Sequence, residues 1–141
     1  MKALVKILLW GLVTGAIHFV IMGVLYGNPF IDKIYQKAQK DSPGVKKWES
    51  RAKYLLTQFL GTQVEIFIMT AGFYWIKTLV NVNCMCTVMQ IGLIFAGIRV
   101  YPRFWNMWIQ STYPNSMLLI EGIFGTISTF IVVISLYLLP F

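Results

Sequence analysis

Four long apolar stretches, separated by polar, basic or proline-containing connections, organise the chain over residues 4–26, 55–76, 79–100 and 116–139. Each is close to the roughly 20 apolar residues that a helix needs to cross bilayer hydrocarbon. The pattern predicts an all-α integral membrane protein, a four-transmembrane-helix bundle forming a single domain over residues 1–141. Between the first two stretches the pattern changes. Phe30, Ile31, Ile34, Tyr35 and Ala38 recur at helical spacing, with Asp32, Lys33, Lys37 and Lys40 on the remaining surface. That is the signature of an interfacial amphipathic helix, with Asn28 placed to cap it and Pro29 suited to its first turn. The sequence DSPG at 41–44 interrupts it. Ser42 and Pro43 are then placed to start a helix that carries Trp48 and Tyr54 through the headgroup layer into the second span.

The third connection, RVYPRFWNMWIQSTYPNS, gathers Tyr101, Phe104, Trp105, Trp108 and Tyr113 around Arg99 and Arg103. Aromatic rings with arginine mark a membrane interface. Pro102 and Pro114 bracket a segment expected to lie in the headgroup plane, with Asn115 or Ser116 capping the fourth span.

Composition agrees with a membrane setting. Of 141 residues, 57% are hydrophobic and 12% charged, and the mean hydropathy is +0.68. The first stretch opens after Lys2 like a signal peptide, but its apolar run continues to Tyr26 without a small-x-small cleavage site, so it reads as a retained helix. The net charge of +7 comes from residues beside the spans. With no groove-reading motif among them, nucleic acid is not the expected partner. Anionic lipid headgroups are, and Lys33, Lys37, Lys46, Lys47 and Arg51 are the candidate contacts, each contributing about 1 kcal/mol near an anionic leaflet.

Charge also sets an expected orientation. Lys33, Lys37, Lys40, Lys46, Lys47, Arg51, Lys53, Arg99 and Arg103 fall on one side, against Lys2, Lys6 and Lys77 on the other. By the positive-inside rule, loops 27–54 and 101–115 are cytoplasmic and both termini lie outside, with a bacterial inner membrane as the expected location.

Candidate chemistry rests on a few polar residues inside the apolar stretches. Gly11 and Gly15 form a Gly-x-x-x-Gly pair, a spacing that lets helix backbones approach closely. His18 follows on the same face. Gln58, Thr62 and Glu65 make one polar stripe on the second span, Glu121 and Gly125 share a face on the fourth, and Gln90 sits within the third. At about 1.5 Å per residue, His18 lies roughly 12 Å from the expected cytoplasmic end, Glu65 about 15 Å and Glu121 near 8 Å, with Arg99 at the boundary. The cluster of His18, Glu65, Glu121, Arg99, Gln58 and Thr62 has two readings. In one it is interhelical glue. In the other, Glu65 and His18 carry protons in a cavity entered from the cytoplasm, with Glu121 and Arg99 at its mouth.

Other chemistries have less support. A single His disfavours a bis-His haem or multi-His metal site within one chain, so no metal ligands are assigned. Cys84 and Cys86 form Cys-x-Cys, and on a helix they point about 200° apart. No phosphate loop, Ser-His-Asp arrangement or clear internal repeat is present, no catalytic residue is assigned, and nothing specifies a cofactor.

The exit of the first span, GVLYGNPFIDKIY at residues 23–35, resembles the corresponding region of a family of small uncharacterised four-helix bacterial membrane proteins. The shared features are a glycine, an aromatic-rich helix end, a short Pro-Phe turn and a following helix. The resemblance implies the four-span architecture and no site residues. The leading expectation is therefore a non-enzymatic accessory or interaction subunit of a membrane assembly, bound to other membrane subunits or to copies of itself. The alternative is a proton-coupled carrier, or a small membrane enzyme for a lipophilic substrate, built on the intramembrane His/Glu cluster.

Overall fold

A computed structural model describes residues 2–42 and 45–140, which are helical apart from short connections. The helices are α1 (Lys2–Tyr26), α2 (Pro29–Asp41), α3 (Arg51–Leu79), α4 (Met85–Arg99), α5 (Tyr101–Gln110) and α6 (Asn115–Leu138). Four helical bodies are long and apolar enough to cross a membrane: Lys2–Tyr26, Arg51–Leu79, Met85–Gln110 and Asn115–Leu138.

The third of these bodies departs from the sequence expectation. It begins at Met85, after an extended connection, and continues through α5. Val100 keeps right-handed helical dihedrals (φ −92°, ψ −46°), and the Phe104 amide donates to its carbonyl at 2.9 Å. Pro102 breaks the α4 hydrogen-bond ladder by removing one donor, which ends α4 without reversing the chain. α5 continues in the direction of α4 and packs along α6. Val100 sits against Gly125 and Phe104 against Gly122, where an added Cβ would come within 3.2 and 3.3 Å of those side chains. The whole α4–α5 body thus pairs antiparallel with α6, and Arg99 lies near the middle of that hairpin rather than at its edge.

α6 is the hub. It packs against α1 and α4 extensively, and also against α2, α3 and α5. α1 and α3 form the second tight pair. The buried residues of α1 are Gly11, Thr14, Gly15, His18 and Met22, one helical stripe. α3 answers with Gln63, Ile66, Met69, Thr70 and Phe73. At one end of the bundle Phe73, Val88, Ile91, Val132 and Leu136 close an apolar core, covered by Val82 from the α3–α4 connection. At the other end Ala38 and Val45 pack on Met117 at the start of α6, with Tyr35 and Tyr113 alongside.

The amphipathic helix has its expected start: Asn28 accepts from the Phe30 amide at 2.9 Å with Pro29 in the first turn. Its buried face is centred on Ala38, whereas Phe30, expected on that face, is 70% exposed. Three other boundaries differ. Pro43 lies outside the described residues, residues 45–50 are not helical, and α3 starts at Arg51 where Ser50 caps it. Cys84 caps α4 through its sulfur. α6 has Pro114 at its cap and no side-chain cap, so Asn115 and Ser116 do not serve that role.

Gly15 has a specific packing duty. A Cβ there would collide with the amide of Gln63, a buried side chain whose Nε2 donates to Gly11 O at 3.0 Å. Gly15→Ala is therefore expected to break that bond and lower stability by about 1–2 kcal/mol. Gly23→Ala, at a position with open space around it, should not. Thermal unfolding of the two variants in one detergent checks this, and equal midpoints would show that Gln63 moves aside freely.

Candidate functional site

One polar network joins all four long helical bodies. Arg99, at the end of α4, meets Glu65 of α3 in a two-pronged ion pair, Nε to Oε1 at 2.5 Å and Nη2 to Oε2 at 2.8 Å. Its Nη1 donates to Ser128 Oγ at 2.9 Å and Thr129 Oγ1 at 3.0 Å on α6. Ser128 Oγ in turn lies 2.6 Å from Nε2 of His18 on α1. Because guanidinium can only donate, Ser128 Oγ must accept from Arg99. The oxygen keeps a second lone pair and its own proton, so the imidazole tautomer sets which way the bond to His18 Nε2 runs.

Local structure explains each position. Thr129 turns its hydroxyl back to Gly125 O at 2.8 Å, which leaves the oxygen facing Arg99. Arg99 occupies the last turn of α4, where the helix dipole favours a cation. The planar guanidinium fork matches a carboxylate in two parallel bonds, a fit that lysine does not offer. Exposure is uneven: the Arg99 side chain is 18% exposed and that of Glu65 42%. The carboxylate therefore reaches the edge of the bundle rather than its centre.

The remaining sequence candidates fall elsewhere. Glu121 belongs to a second cluster, in which Tyr113 donates to it at 2.5 Å and Arg103 approaches at 3.4 Å. Burial chiefly, and then the bond to Glu121, push the Tyr113 phenol above its ordinary pKa, and burial does the same to Tyr35. Gln58 and Thr62 bond each other at 3.3 Å on an exposed face of α3. Gln90 is exposed on α4, and Lys33, Lys37, Lys46, Lys47 and Arg51 are all exposed. Glu65 and His18 do not meet. Arg99 and Ser128 stand between them.

No family model, curated protein or solved structure matches this chain.

Ser128, Thr129 and Gln63 were not among the sequence candidates. The signal for the first two was a hydroxyl pair inside an apolar run, which is weak because such residues often bond their own helix. Gln63 adjoins Thr62 in sequence but faces the other way, into α1. Thr14 Oγ1, His18 Nδ1 and Gln63 Oε1 are buried without a hydrogen-bond partner among the described residues. No group of three or more His, Cys, Asp or Glu side chains capable of holding a metal occurs among those residues.

Two grooves mark the surface. One, of about 390 Å³, is apolar and lies between Phe104 and the Leu119, Gly122 and Ile123 face of α6. The other, of about 400 Å³, is mixed in character and bordered by α3 and Arg103 of α5.

The ion pair dictates a clear response to substitution. Glu65→Gln leaves Arg99 without its counter-charge and should lower stability by about 1–3 kcal/mol, tempered by the exposure of the carboxylate. Glu65→Gln with Arg99→Gln removes both charges, so the double variant should be less destabilised than the sum of the singles by about 1–2 kcal/mol. Unfolding midpoints for the complete cycle measure the coupling. Strict additivity would mean that the pair does not hold α3 to α4.

Proposed function

We propose that the protein is a small non-enzymatic integral membrane subunit, seated in a bacterial inner membrane and serving as an accessory or interaction partner within a larger membrane assembly. One observation carries the reading: Glu65, Arg99 and His18 are engaged in bonds between helices. Such contacts each contribute about 0.6–2 kcal/mol to helix association. The outward faces of α1, α3 and α4 present large apolar side chains, among them Leu4, Val20, Ile68, Leu93 and Ile98. These faces suit lipid or neighbouring helices.

The orientation argument keeps its sign after Arg99 and Arg103 are placed within the α4–α5 body. The α1–α3 connection and the first turn of α3 still carry Lys33, Lys37, Lys40, Lys46, Lys47, Arg51 and Lys53, against Lys2, Lys6 and Lys77 at the opposite end. This supports a cytoplasmic α2 and outside termini. Anionic headgroups are the counterpart for the exposed lysines, with Lys46 also held over the Trp48 ring at 4.4 Å.

The second reading is a proton-coupled carrier or small enzyme. It draws support from the unpartnered Nδ1 of His18, buried one turn from Thr14 on α1. Native mass spectrometry after gentle extraction separates the two. Co-migration with a defined assembly, weakened by Glu65→Gln, is the expected result. A chain that runs alone and takes up protons in a manner abolished by His18→Ala would replace the first reading with the second.

Orientation has its own test. Cys84 and Cys86 are both exposed, and they share the bundle end with the start of α1 and the end of α6. Hydrogen bonds from the Thr87 hydroxyl and amide hold the Cys84 thiol below its ordinary pKa. Thiolate is the reactive form. A membrane-impermeant maleimide should therefore label intact spheroplasts of a Cys86→Ser variant, at a rate that falls less than that of a free thiol as pH drops toward neutrality. Labelling only after lysis would invert the topology.

A further inference from the structure

We infer, resting on the reading of the chain as a membrane interaction subunit, that the free face of α3 is the surface on which a second copy of the protein docks. The two copies stand side by side in one orientation, α3 against α3, with Gly61 at the crossing.

α3 buries Gln63, Ile66, Met69, Thr70 and Phe73 within its own bundle. Its far end also reaches α4, where Phe73 shares a core with Val88 and Ile91 and Gly72 lies against Phe95. Toward the basic end the opposite side of α3 stays open. Gln58, Gly61, Glu65 and Ile68 follow one another at steps of three, four and three residues on that side. They line the mixed groove of about 400 Å³, with Thr62 and Val64 beside them and Arg103 at the rim. Alternating steps of three and four are the seam of a paired helix.

Depth makes that seam costly to leave bare. Glu65 is twelve residues from Lys53 and twelve from Lys77, about 18 Å from each. Half the hydrocarbon thickness is about 15 Å, so both lysines fall just outside it and Glu65 falls near its middle. Thr62 and Gln58, about 5 and 10 Å toward Lys53, are then both inside. One N–H of the Gln58 amide goes to Thr62. The other N–H, the amide carbonyl and the Thr62 hydroxyl proton have no partner among the described residues. Acyl chains cannot meet such groups. Val64 and Ile68, 61% and 69% exposed, turn the groove's outer edge toward lipid rather than water.

The unmatched groups are self-complementary. An amide and a hydroxyl each donate and accept, so each can pair with its own copy across a two-fold axis. Charge does not oppose the approach. Glu65 is paired with Arg99 and Arg103 with Glu121, so each copy brings as many cations as anions. At Gly61 an added Cβ would meet nothing within 4 Å, and a glycine at that place lets two backbones come close. Ile68 supplies the apolar step of the seam. A polar pair within an apolar seam also fixes its register.

The test places Gly61→Cys in the full chain on a Cys84→Ser, Cys86→Ser background, where serine still caps α4. In liposomes of phosphatidylethanolamine and phosphatidylglycerol, copper phenanthroline is expected to join these chains into a disulfide-linked dimer. Gly23→Cys, in open space on α1, should stay monomeric. Energy transfer between N-terminally labelled copies should rise with the protein-to-lipid ratio, and Gln58→Leu should move its midpoint to an about tenfold higher ratio. Absence of the Gly61→Cys dimer, or a midpoint unmoved by Gln58→Leu, would overturn the interface. Gly61→Cys joined in native membranes to a different protein would overturn the second copy as occupant and leave the interaction-subunit reading standing. A Gly61→Cys dimer formed by a chain that migrates with no larger assembly would do the reverse.

Discussion

A guanidinium among apolar helices is tolerable only when its donors are met and its charge is opposed. Arg99 sets that constraint, and much of the bundle is arranged to satisfy it. Glu65 supplies the counter-charge from α3, Ser128 and Thr129 supply acceptors from α6, and His18 completes the chain from α1. Small residues make the approach possible. Gly125 lets Val100 come close, and Gly11 and Gly15 let α3 lie on α1. A change in any of these alters how well one cation is satisfied, so the network behaves as a unit rather than as separate contacts.

The same constraint explains why the bundle is asymmetric along its axis. At the end carrying Val82, helices meet through Phe73, Val88, Val132 and Leu136, which need only fit. Toward the basic end the polar bridge holds α3 and α4 apart by the combined length of two side chains. A gap between helices follows, and Gly61 and Thr62 do not fill it. The groove is thus a by-product of joining helices by a long charged pair instead of by close apolar packing.

Much of this was legible in the sequence, and the misses share a cause. Four apolar stretches, the capped α2 and the Gly11–Gly15 face can be read from local pattern because each depends on period or on a short-range cap. The third helical body could not be bounded in this way. Arg99, Arg103 and two prolines look like the end of a span when considered alone, yet Glu65 and Glu121, distant in sequence, make both cations acceptable within a longer helix. Likewise, helical spacing put Glu65 near His18 in depth but had no means of inserting Arg99 and Ser128 between them. Gln63 was missed because its role depends on the absence of a side chain at Gly15, 48 positions earlier in the chain.

Arg103 shows how one residue can serve two neighbourhoods. One turn beyond Arg99, it leaves the fully paired interior and enters a region where Glu121 is already bonded by Tyr113. Tyr113 holds Oε1 of Glu121 and Arg103 approaches Oε2 at 3.4 Å, with the guanidinium extending outward over the groove. Long basic side chains near the boundary of an apolar layer reach toward polar surroundings in this way. The groove thus joins the two clusters, since Arg103 reaches it from the pair with Glu121 and Glu65 from the pair with Arg99.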